Sequence, residues 1–178
     1  MVLKATLGAK VIQVKLPNGI WTYDPQKPLG TPGGFGAVFA GKSSSGEPVA
    51  VKKLHLGATD AAHRELKIAS ELANRKFEHV MPVLDAGQDS ESDGYFVIMP
   101  VADQSLQDVL NRNGAMEEAQ AVEVVLQVTL GLTELPDLVH RDLKPANVLL
   151  LNGSWKIRTL ALLGLSRTAP RRGRLRIA

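Results

Sequence analysis

The sequence contains no cysteine, so it has neither a disulfide framework nor a thiolate metal site. This absence fits a reducing compartment. The chain also lacks an apolar run long enough to cross a bilayer. Its first residues, MVLKATLGAKVIQVKL, lack the continuous apolar core of a signal peptide. We therefore expect a soluble cytoplasmic protein with no membrane partner.

Acidic residues are missing from the end of the sequence, where positive charge is concentrated. Residues 158–178 contain six arginines and no acid, and without them the net charge of +3 becomes −3. The body of the protein therefore gives no reason to expect a nucleic-acid partner. The arginine-rich run has no interleaved aromatic residues and is typical of a disordered tail. Anion binding by this tail, to nucleic acid or acidic lipid, is the less favoured alternative.

Residue patterning predicts a mixture of strands and helices. Pro17-Asn18-Gly19 separates two β-prone runs and indicates a hairpin. Apolar residues at helical spacing predict a helix over residues 60–74. Further strands are expected over residues 80–86 and 95–101, and short and long helices over 105–111 and 116–134. The residues of the long helix expected to face inward are Ala119, Val122, Val125, Leu126 and Leu130.

The glycine-rich stretch over residues 29–36 is the first candidate for a binding function. Glycines let a backbone approach phosphates closely and direct N–H groups at them, although a plain turn-rich loop has the same composition. A dinucleotide-binding fold requires a helix directly after the glycines. Here the β-prone residues 37–40 follow, then a polar turn and a strand over 49–52, so the dinucleotide alternative is disfavoured.

Lys52 ends the apolar strand, and Glu65 lies on the predicted helix beside apolar residues. A lysine at a strand end is often simply exposed. A carboxylate on an apolar helix face, however, costs several kcal/mol of desolvation unless it is paired, by roughly the scale known for buried charges. Lys52 is the natural candidate partner for Glu65.

The most informative segment is His-Arg-Asp-Leu-Lys-Pro-Ala-Asn over residues 140–147. Asp142 is of the type that accepts the proton of an attacking hydroxyl. A lysine two residues on, Lys144, can neutralise a transferring phosphoryl group, and an asparagine five residues on, Asn147, can coordinate Mg²⁺. A merely charged loop between two strands does not explain why these residue types occur at these spacings.

This segment resembles the catalytic loop of protein kinases, and the lysine after Asp-Leu resembles the serine/threonine branch. The resemblance covers roughly residues 21–157. It implies an α+β fold with an antiparallel five-stranded small lobe carrying one helix, and an incomplete helical large lobe. The expected organisation is an N-terminal extension (1–20), a kinase domain (21–157, small lobe 21–102 and partial large lobe 103–157) and an arginine-rich tail (158–178).

The resemblance also implies the substrates and the roles of individual residues. It implies ATP and Mg²⁺ as cofactors and a serine or threonine hydroxyl of a protein as the phosphoryl acceptor. Asp142 is implied as the catalytic base, Lys144 as the γ-phosphate contact and Asn147 as the metal ligand. Residues 95–102 resemble the hinge between the lobes, with Met99 at the gatekeeper position. The implied ATP-binding residues are Gly30, Gly33, Gly36, Val38, Ala50, Lys52, Glu65, Met99, Val101 and Ala102.

The sequence departs from the family in two places. The first glycine of the family's loop falls on Thr31, and Pro32 donates no N–H. After Ile157 the family continues with one residue and then Asp-Phe-Gly, whose aspartate holds the metal. No aspartate follows Asp142 in this chain. An inactive, truncated pseudokinase-like module that binds a nucleotide or a partner is therefore the alternative to a serine/threonine kinase.

We hypothesise that a single-nucleotide frameshift produced the sequence after Ile157. Residues 158–164 can be encoded by CGG ACT TTG GCC TTG CTC GGN. One added G gives GCG GAC TTT GGC CTT GCT CGG, which encodes Ala-Asp-Phe-Gly-Leu-Ala-Arg. We therefore expect sequencing of the gene to reveal an Asp-Phe-Gly frame beside the codons for residues 158–164. If no adjacent frame encodes it, the tail is unrelated natural sequence and the hypothesis is wrong.

Overall fold

The computed structural model describes residues 11–30, 36–54, 59–73, 75–136, 138–140 and 142–158. The predicted site residue Gly33, the departures at Thr31 and Pro32, and the tail after Arg158 lie outside the described residues. A six-stranded antiparallel sheet with strand order β1-β2-β3-β4-β6-β5 dominates the first half. Its strands are β1 (Ile12–Leu16), β2 (Gly19–Pro28), β3 (Gly36–Ser43), β4 (Pro48–Leu54), β5 (Asp85–Gln88) and β6 (Tyr95–Pro100).

Two hairpins begin this sheet, and both follow from local sequence. The hairpin predicted at Pro17-Asn18-Gly19 is present, since β1 and β2 pair from Leu16 and Gly19 outward. The strand–turn–strand prediction corresponds to β3 and β4. The sheet has six strands rather than the five predicted, because β1 adds an edge strand from within the predicted N-terminal extension. The strand expected over residues 80–86 begins only at Asp85.

The sheet has an apolar cluster on each face, because side chains alternate along a strand. Helix α1 (Thr59–Leu72) covers one face, where its Ile68 and Leu72 pack with Val97 and Met99 of β6. On the other face, residues of β1 and β2 pack with the alternate β6 residues Phe96 and Ile98. Strand β6 is therefore buried on both sides, which fits its uninterrupted apolar sequence.

A second, three-stranded antiparallel sheet has the order β7-β8-β9. It consists of β7 (Gln104–Ser105), β8 (Val148–Leu151) and β9 (Ser154–Ile157), and the 3₁₀ turn Pro145–Asn147 precedes β8. Backbone hydrogen bonds join β9 to residues 79–81, since Ile157 N donates to His79 O and Met81 N donates to Ile157 O, each at 2.9 Å. The predicted lobe division at residues 102 and 103 lies in the segment between the two sheets.

Two helices accompany the second sheet. Helix α2 (Leu106–Asn113) begins with a capping box in which the Ser105 and Asp108 side chains each bond the other residue's backbone N–H. Helix α3 (Glu118–Thr133) packs on β9 through Val124, Val128 and Gly131. No helix in the described ranges is long and apolar enough to cross a membrane.

The face of α3 that was predicted to point inward points to solvent instead. Val122 and Val125 are 62% and 63% exposed, and Leu126 and Leu130 are also exposed. The reason is that α3 is apolar almost all round, so helical spacing alone could not select the face that packs. Nothing in the described part of the chain covers this apolar surface.

One buried carboxylate connects the β1–β2 hairpin to the opposite edge of the sheet. Asp85 of β5 is 1% exposed. Its Oδ2 accepts the backbone N–H of Asn18 at 3.0 Å and the indole N–H of Trp21 at 2.8 Å, while its Oδ1 accepts the N–H of Ala86 at 3.0 Å. The two edges of the strand order are thus joined by side-chain hydrogen bonds, and the sheet curls on itself.

We expect Asp85→Ala to lower the free energy of unfolding by about 2–4 kcal/mol, because it leaves buried N–H donors without acceptors. Urea denaturation measures this difference. Asp93→Ala, in the exposed turn between β5 and β6, is the matched control and should stay within about 0.5 kcal/mol of the original protein. Equal stability of the two variants would show that Asp85 does not hold the hairpin.

Candidate active site

A cleft of about 780 Å³ opens between the first sheet and the elements that follow it. Residues of β3, β4, β7, α2 and β8 form its walls. Ten predicted site residues line the cleft: Gly30, Gly36, Val38, Ala50, Lys52, Met99, Val101, Ala102, Asp142 and Lys144. Glu65 and Asn147 lie behind the lining, since each bonds to one of these residues.

Lys52 and Glu65 form the predicted ion pair. The Lys52 Nζ donates to Glu65 Oε1, and both side chains are buried, at 7% and 4% exposure for the whole residues. Burial lowers the pKa of the Lys52 ammonium, although the adjacent Glu65 carboxylate opposes this. Burial likewise raises the pKa of the Glu65 carboxyl against the opposing effect of Lys52. Desolvation thus outweighs attraction for both partners, so each charge depends on the other.

The two described glycines of the predicted phosphate loop have conformations that suit glycine. Gly30 has φ +85°, in the left-handed region. Gly36 has φ +150°, and a Cβ at this position would lie 2.2 Å from the carbonyl oxygen of Lys53 on the neighbouring strand. The glycine at 36 is therefore required by strand packing, whatever it does toward a ligand.

The predicted hinge, residues 95–102, consists of β6 and the two residues after it, at the edge of the cleft. Met99 is 4% exposed, pairs with Ala50 across the sheet and joins the apolar cluster under α1. Val101 and Ala102 line the cleft beyond the end of the strand. The backbone N–H of Asp103 donates to Leu150 O at 2.8 Å, which fixes this segment to the second sheet.

Four further apolar residues line the cleft, and the sequence analysis did not predict them. Leu29 and Met81 contribute from the first half of the chain, and Ala146 and Leu149 from the second. Leu149 lies on β8, one position after the buried Val148. The alternation of inward and outward residues on a strand would have been the signal for it, because Asn147 had already been assigned to the site.

Asp142, Lys144 and Asn147, which the sequence analysis assigned to one catalytic loop, form one hydrogen-bonded group. The Asn147 amide nitrogen donates to the Asp142 carbonyl at 2.6 Å and to Asp142 Oδ2 at 2.9 Å. Lys144 Nζ lies 2.9 Å from the same Oδ2. The hydrogen bond from Lys144 lowers the pKa of the Asp142 carboxyl, and the bond from Asn147 adds to this effect. Asp142 is therefore ionised at neutral pH.

Arg158 also belongs to the cleft, and the sequence reasoning missed it by assigning it to the tail. The β8–β9 hairpin turns at Asn152 and Gly153, which have φ +51° and +79°, and it pairs Val148 with Ile157. The next two residues outward are Asn147 and Arg158. The Arg158 backbone N–H donates to Asn147 O at 2.8 Å, and its Nη2 donates to Asn147 Oδ1. An Asn-Gly pair is a strong hairpin signal that would have placed Arg158 opposite Asn147.

The divalent cation implied at Asn147 does not fit this arrangement. Mg²⁺ requires oxygen ligands, and the Asn147 Oδ1 that was predicted to supply one already accepts from the Arg158 guanidinium. A fixed positive charge at that oxygen repels a second cation. Within the described residues, no group of three or more His, Asp or Glu side chains is arranged to hold a metal ion.

We expect Lys52→Met to destabilise the protein by about 3 kcal/mol at neutral pH, because it leaves the Glu65 carboxylate buried without its partner. The pKa of Glu65, already raised by burial, rises further without the lysine. The folded state then binds a proton that the unfolded state releases, so stability is lost as pH rises through the folded pKa. The difference in the free energy of unfolding between Lys52→Met and the original protein should therefore become smaller when the pH is lowered.

Urea denaturation at several pH values between about 5 and 8 measures this effect. Lys53→Met is the matched control, because Lys53 is the exposed neighbour of Lys52 on β4. It should change stability little at every pH. A Lys52→Met deficit that is the same at both ends of the pH range would contradict the role given to the pair.

Comparison with known proteins identifies the family. Residues 23–174 match the protein kinase domain. The chain is 30% identical over 156 residues to the probable serine/threonine-protein kinase zyg-1 of Caenorhabditis elegans, covering 84% of this chain and 21% of that protein. It is 35% identical over 127 residues to the serine/threonine-protein kinase pkn3 of Myxococcus xanthus, covering 66% of this chain and 22% of that protein. The chain thus spans about a fifth of the length of these curated relatives.

A solved structure agrees with the predicted fold class. The crystal structure of the M. tuberculosis PknI kinase domain matches with a TM-score of 0.63 at 23% identity, covering 85% of this chain and 61% of that chain. This likeness confirms the α+β kinase fold predicted from the sequence. The chain belongs to the protein kinase family, and the curated relatives that it resembles are serine/threonine kinases.

Proposed function

We propose that the cleft is the ATP site of a protein serine/threonine kinase. The reaction for which its side chains are arranged is transfer of the γ-phosphoryl group of ATP to a serine or threonine hydroxyl of a protein. In this step the hydroxyl oxygen bonds to the γ-phosphorus, and the bond from that phosphorus to the β–γ bridging oxygen breaks. The hydroxyl proton passes to Asp142, and ADP leaves.

The observation that carries the proposal is the meeting of two charged groups in one cleft. The Lys52–Glu65 pair lies on the side of the first sheet, and Asp142 with Lys144 lies on the side of the second. A nucleotide between them would have its phosphates near Lys52 and its terminal phosphoryl group near Lys144 and Asp142. Catalysis of phosphoryl transfer consists mostly of such positioning and charge stabilisation.

The remaining lining suits the base and sugar of a nucleotide. Leu29, Val38, Ala50 and Leu149 present apolar surface in the same cleft as the charged groups. Small-molecule sites are usually concave and mostly apolar, with a few convergent polar groups. Val101 and Ala102, beyond the end of β6, are assigned to the adenine edge, and Met99 to the gatekeeper position, as in the family.

The position of Arg158 favours a second candidate function, which is nucleotide binding with little phosphoryl transfer. Members of the family generally use a divalent metal, but the oxygen implied as a ligand here is bonded to Arg158. Asp142 and Lys144 keep the means to orient a hydroxyl and a phosphoryl group. We therefore expect this chain to bind ATP and to transfer its phosphoryl group very slowly.

We expect ATP binding to depend on Lys52 more than on Asp142. Lys52 contacts phosphates in the ground state, whereas Asp142 acts on the acceptor hydroxyl. Lys52→Met should weaken ATP binding about tenfold or more, by the scale of a lost charge-assisted hydrogen bond, and Asp142→Asn should change it less than threefold, or about 0.7 kcal/mol. Isothermal titration of the purified variants measures both affinities.

Lys53→Met is again the control, because it removes an exposed lysine of the same strand. Equal losses of affinity for Lys52→Met and Asp142→Asn would contradict the division of roles. Incubation with γ-labelled ATP and serine- and threonine-containing peptides tests transfer. Robust labelling that Asp142→Asn abolishes would exclude the second candidate and support an active kinase.

A further inference from the structure

Arg158 lines the cleft as a half-buried residue, and both its backbone and its side chain are hydrogen-bonded there. Its backbone N–H and its Nη2 both donate to Asn147, and its carbonyl oxygen lies 3.0 Å from His140 Nε2. His140 and Asn147 are themselves buried, at 6% and 0% exposure. Arg158 is therefore positioned by a buried frame rather than by an exposed loop.

The guanidinium has no carboxylate of its own. Glu65 is paired with Lys52, and Asp142 is bonded to Lys144 and Asn147. Within the described ranges, no carboxylate oxygen lies within 4.0 Å of an Arg158 nitrogen. Burial lowers the pKa of the Arg158 guanidinium, while the more distant Glu65 and Asp142 raise it.

The other acids of the cleft wall are also engaged. Asp103 accepts from the backbone N–H of Asn152 at 3.2 Å, and Asp108 accepts from Ser105 within the cap of α2. A cation that is partly removed from water, as Arg158 is, loses hydration that an anionic partner would compensate. Around the Lys52–Glu65 and Lys144–Asp142 pairs, Arg158 is thus the cation left without a carboxylate partner, and an anionic ligand in the cleft would supply one.

We propose that Arg158 takes the place of the divalent cation and makes this a metal-independent site for the phosphates of a nucleoside triphosphate. This inference rests on the proposed nucleotide-binding function. A guanidinium is permanently charged and presents N–H donors in a planar fork that fits phosphate oxygens in bidentate fashion. It supplies the charge that the metal supplies elsewhere in the family, without the open coordination positions of a metal ion.

Metal-independent binding changes which form of the ligand is preferred. Free ATP carries more negative charge than its magnesium complex, and the complex brings a cation toward the fixed guanidinium. Excess Mg²⁺ should therefore leave the apparent affinity for ATP unchanged or lower it. A site built around a metal would show the opposite dependence, because the metal bridges phosphates and protein ligands.

Isothermal titration of the full chain with ATP and with adenosine, each in EDTA and in excess Mg²⁺, tests the inference. ATP should bind in EDTA at least as tightly as in Mg²⁺. Arg158→Ala should weaken ATP binding in EDTA about tenfold, the scale of one charge-assisted contact. Adenosine, which has no phosphate, should bind equally to both proteins.

A second variant covers the case in which Arg158→Ala does not fold. Arg158→Gln keeps an N–H₂ group that can donate to Asn147 but removes the positive charge. It should therefore lower the affinity for ATP in EDTA as much as Arg158→Ala does, and leave the affinity for adenosine unchanged. Lys53→Gln removes an exposed positive charge outside the cleft lining and is the matched control for net charge.

A metal-dependent site and the absence of a nucleotide site would give different titration results. Tighter ATP binding in Mg²⁺ than in EDTA overturns the inference, and so does an ATP affinity in EDTA that the folded Arg158 variant keeps within threefold. In either case, binding of adenosine would still support the proposal that the cleft binds a nucleotide. If neither adenosine nor ATP binds, the proposed function itself fails, and this inference fails with it.

Discussion

A buried ion pair is the constraint on which the cleft depends. Lys52 is held on the inner strand β4 and Glu65 on the helix that covers the sheet, so their contact fixes the helix relative to a strand that lines the cleft. Because burial disfavours both charges, neither residue is stable there alone. The pair is therefore better understood as a positioning device than as a source of stability. Its ammonium faces a cleft in which Asp142 and Arg158 approach from the other sheet.

Arg158 and the frameshift hypothesis bear on each other. In the restored frame, residue 158 is alanine and an aspartate follows it, so a half-buried positive charge would be replaced by a small side chain followed by the carboxylate of the family's Asp-Phe-Gly motif. The backbone hydrogen bond between residues 158 and 147 involves no side chain and is compatible with either sequence. The two sequences would thus carry opposite charges directly after β9. One has an arginine, beside which a metal ion does not fit, and the other has the aspartate of the family's metal-binding motif.

Much of the fold and site could be predicted because their signals are local. The Pro17-Asn18-Gly19 hairpin, the strand after the glycines and the Asp142–Asn147 group all depend on residues close in sequence. Other features depend on tertiary partners. Helix α3 is apolar on several faces, and only contact with β9 selects Val124 over Val122. Asp85 could not be predicted as a structural residue, because the two donors that join it to the hairpin, Asn18 and Trp21, lie more than sixty residues away. Arg158 was assigned to the tail because five further arginines follow it, although the Asn-Gly turn of the β8–β9 hairpin indicates its place opposite Asn147.

The two-residue turn at Asn152 and Gly153 has a consequence for how substitutions and insertions are tolerated. Side chains alternate between faces along β9, so the residue beside Asn147 is set by the number of residues in the hairpin. A one-residue insertion in β9, with the same tight turn retained, would slip the strand and bring Ile157 opposite Asn147. The cleft would then exchange a cation for an aliphatic side chain without any substitution in its wall. The electrostatics of this site are, in that sense, a matter of strand length as much as of residue identity.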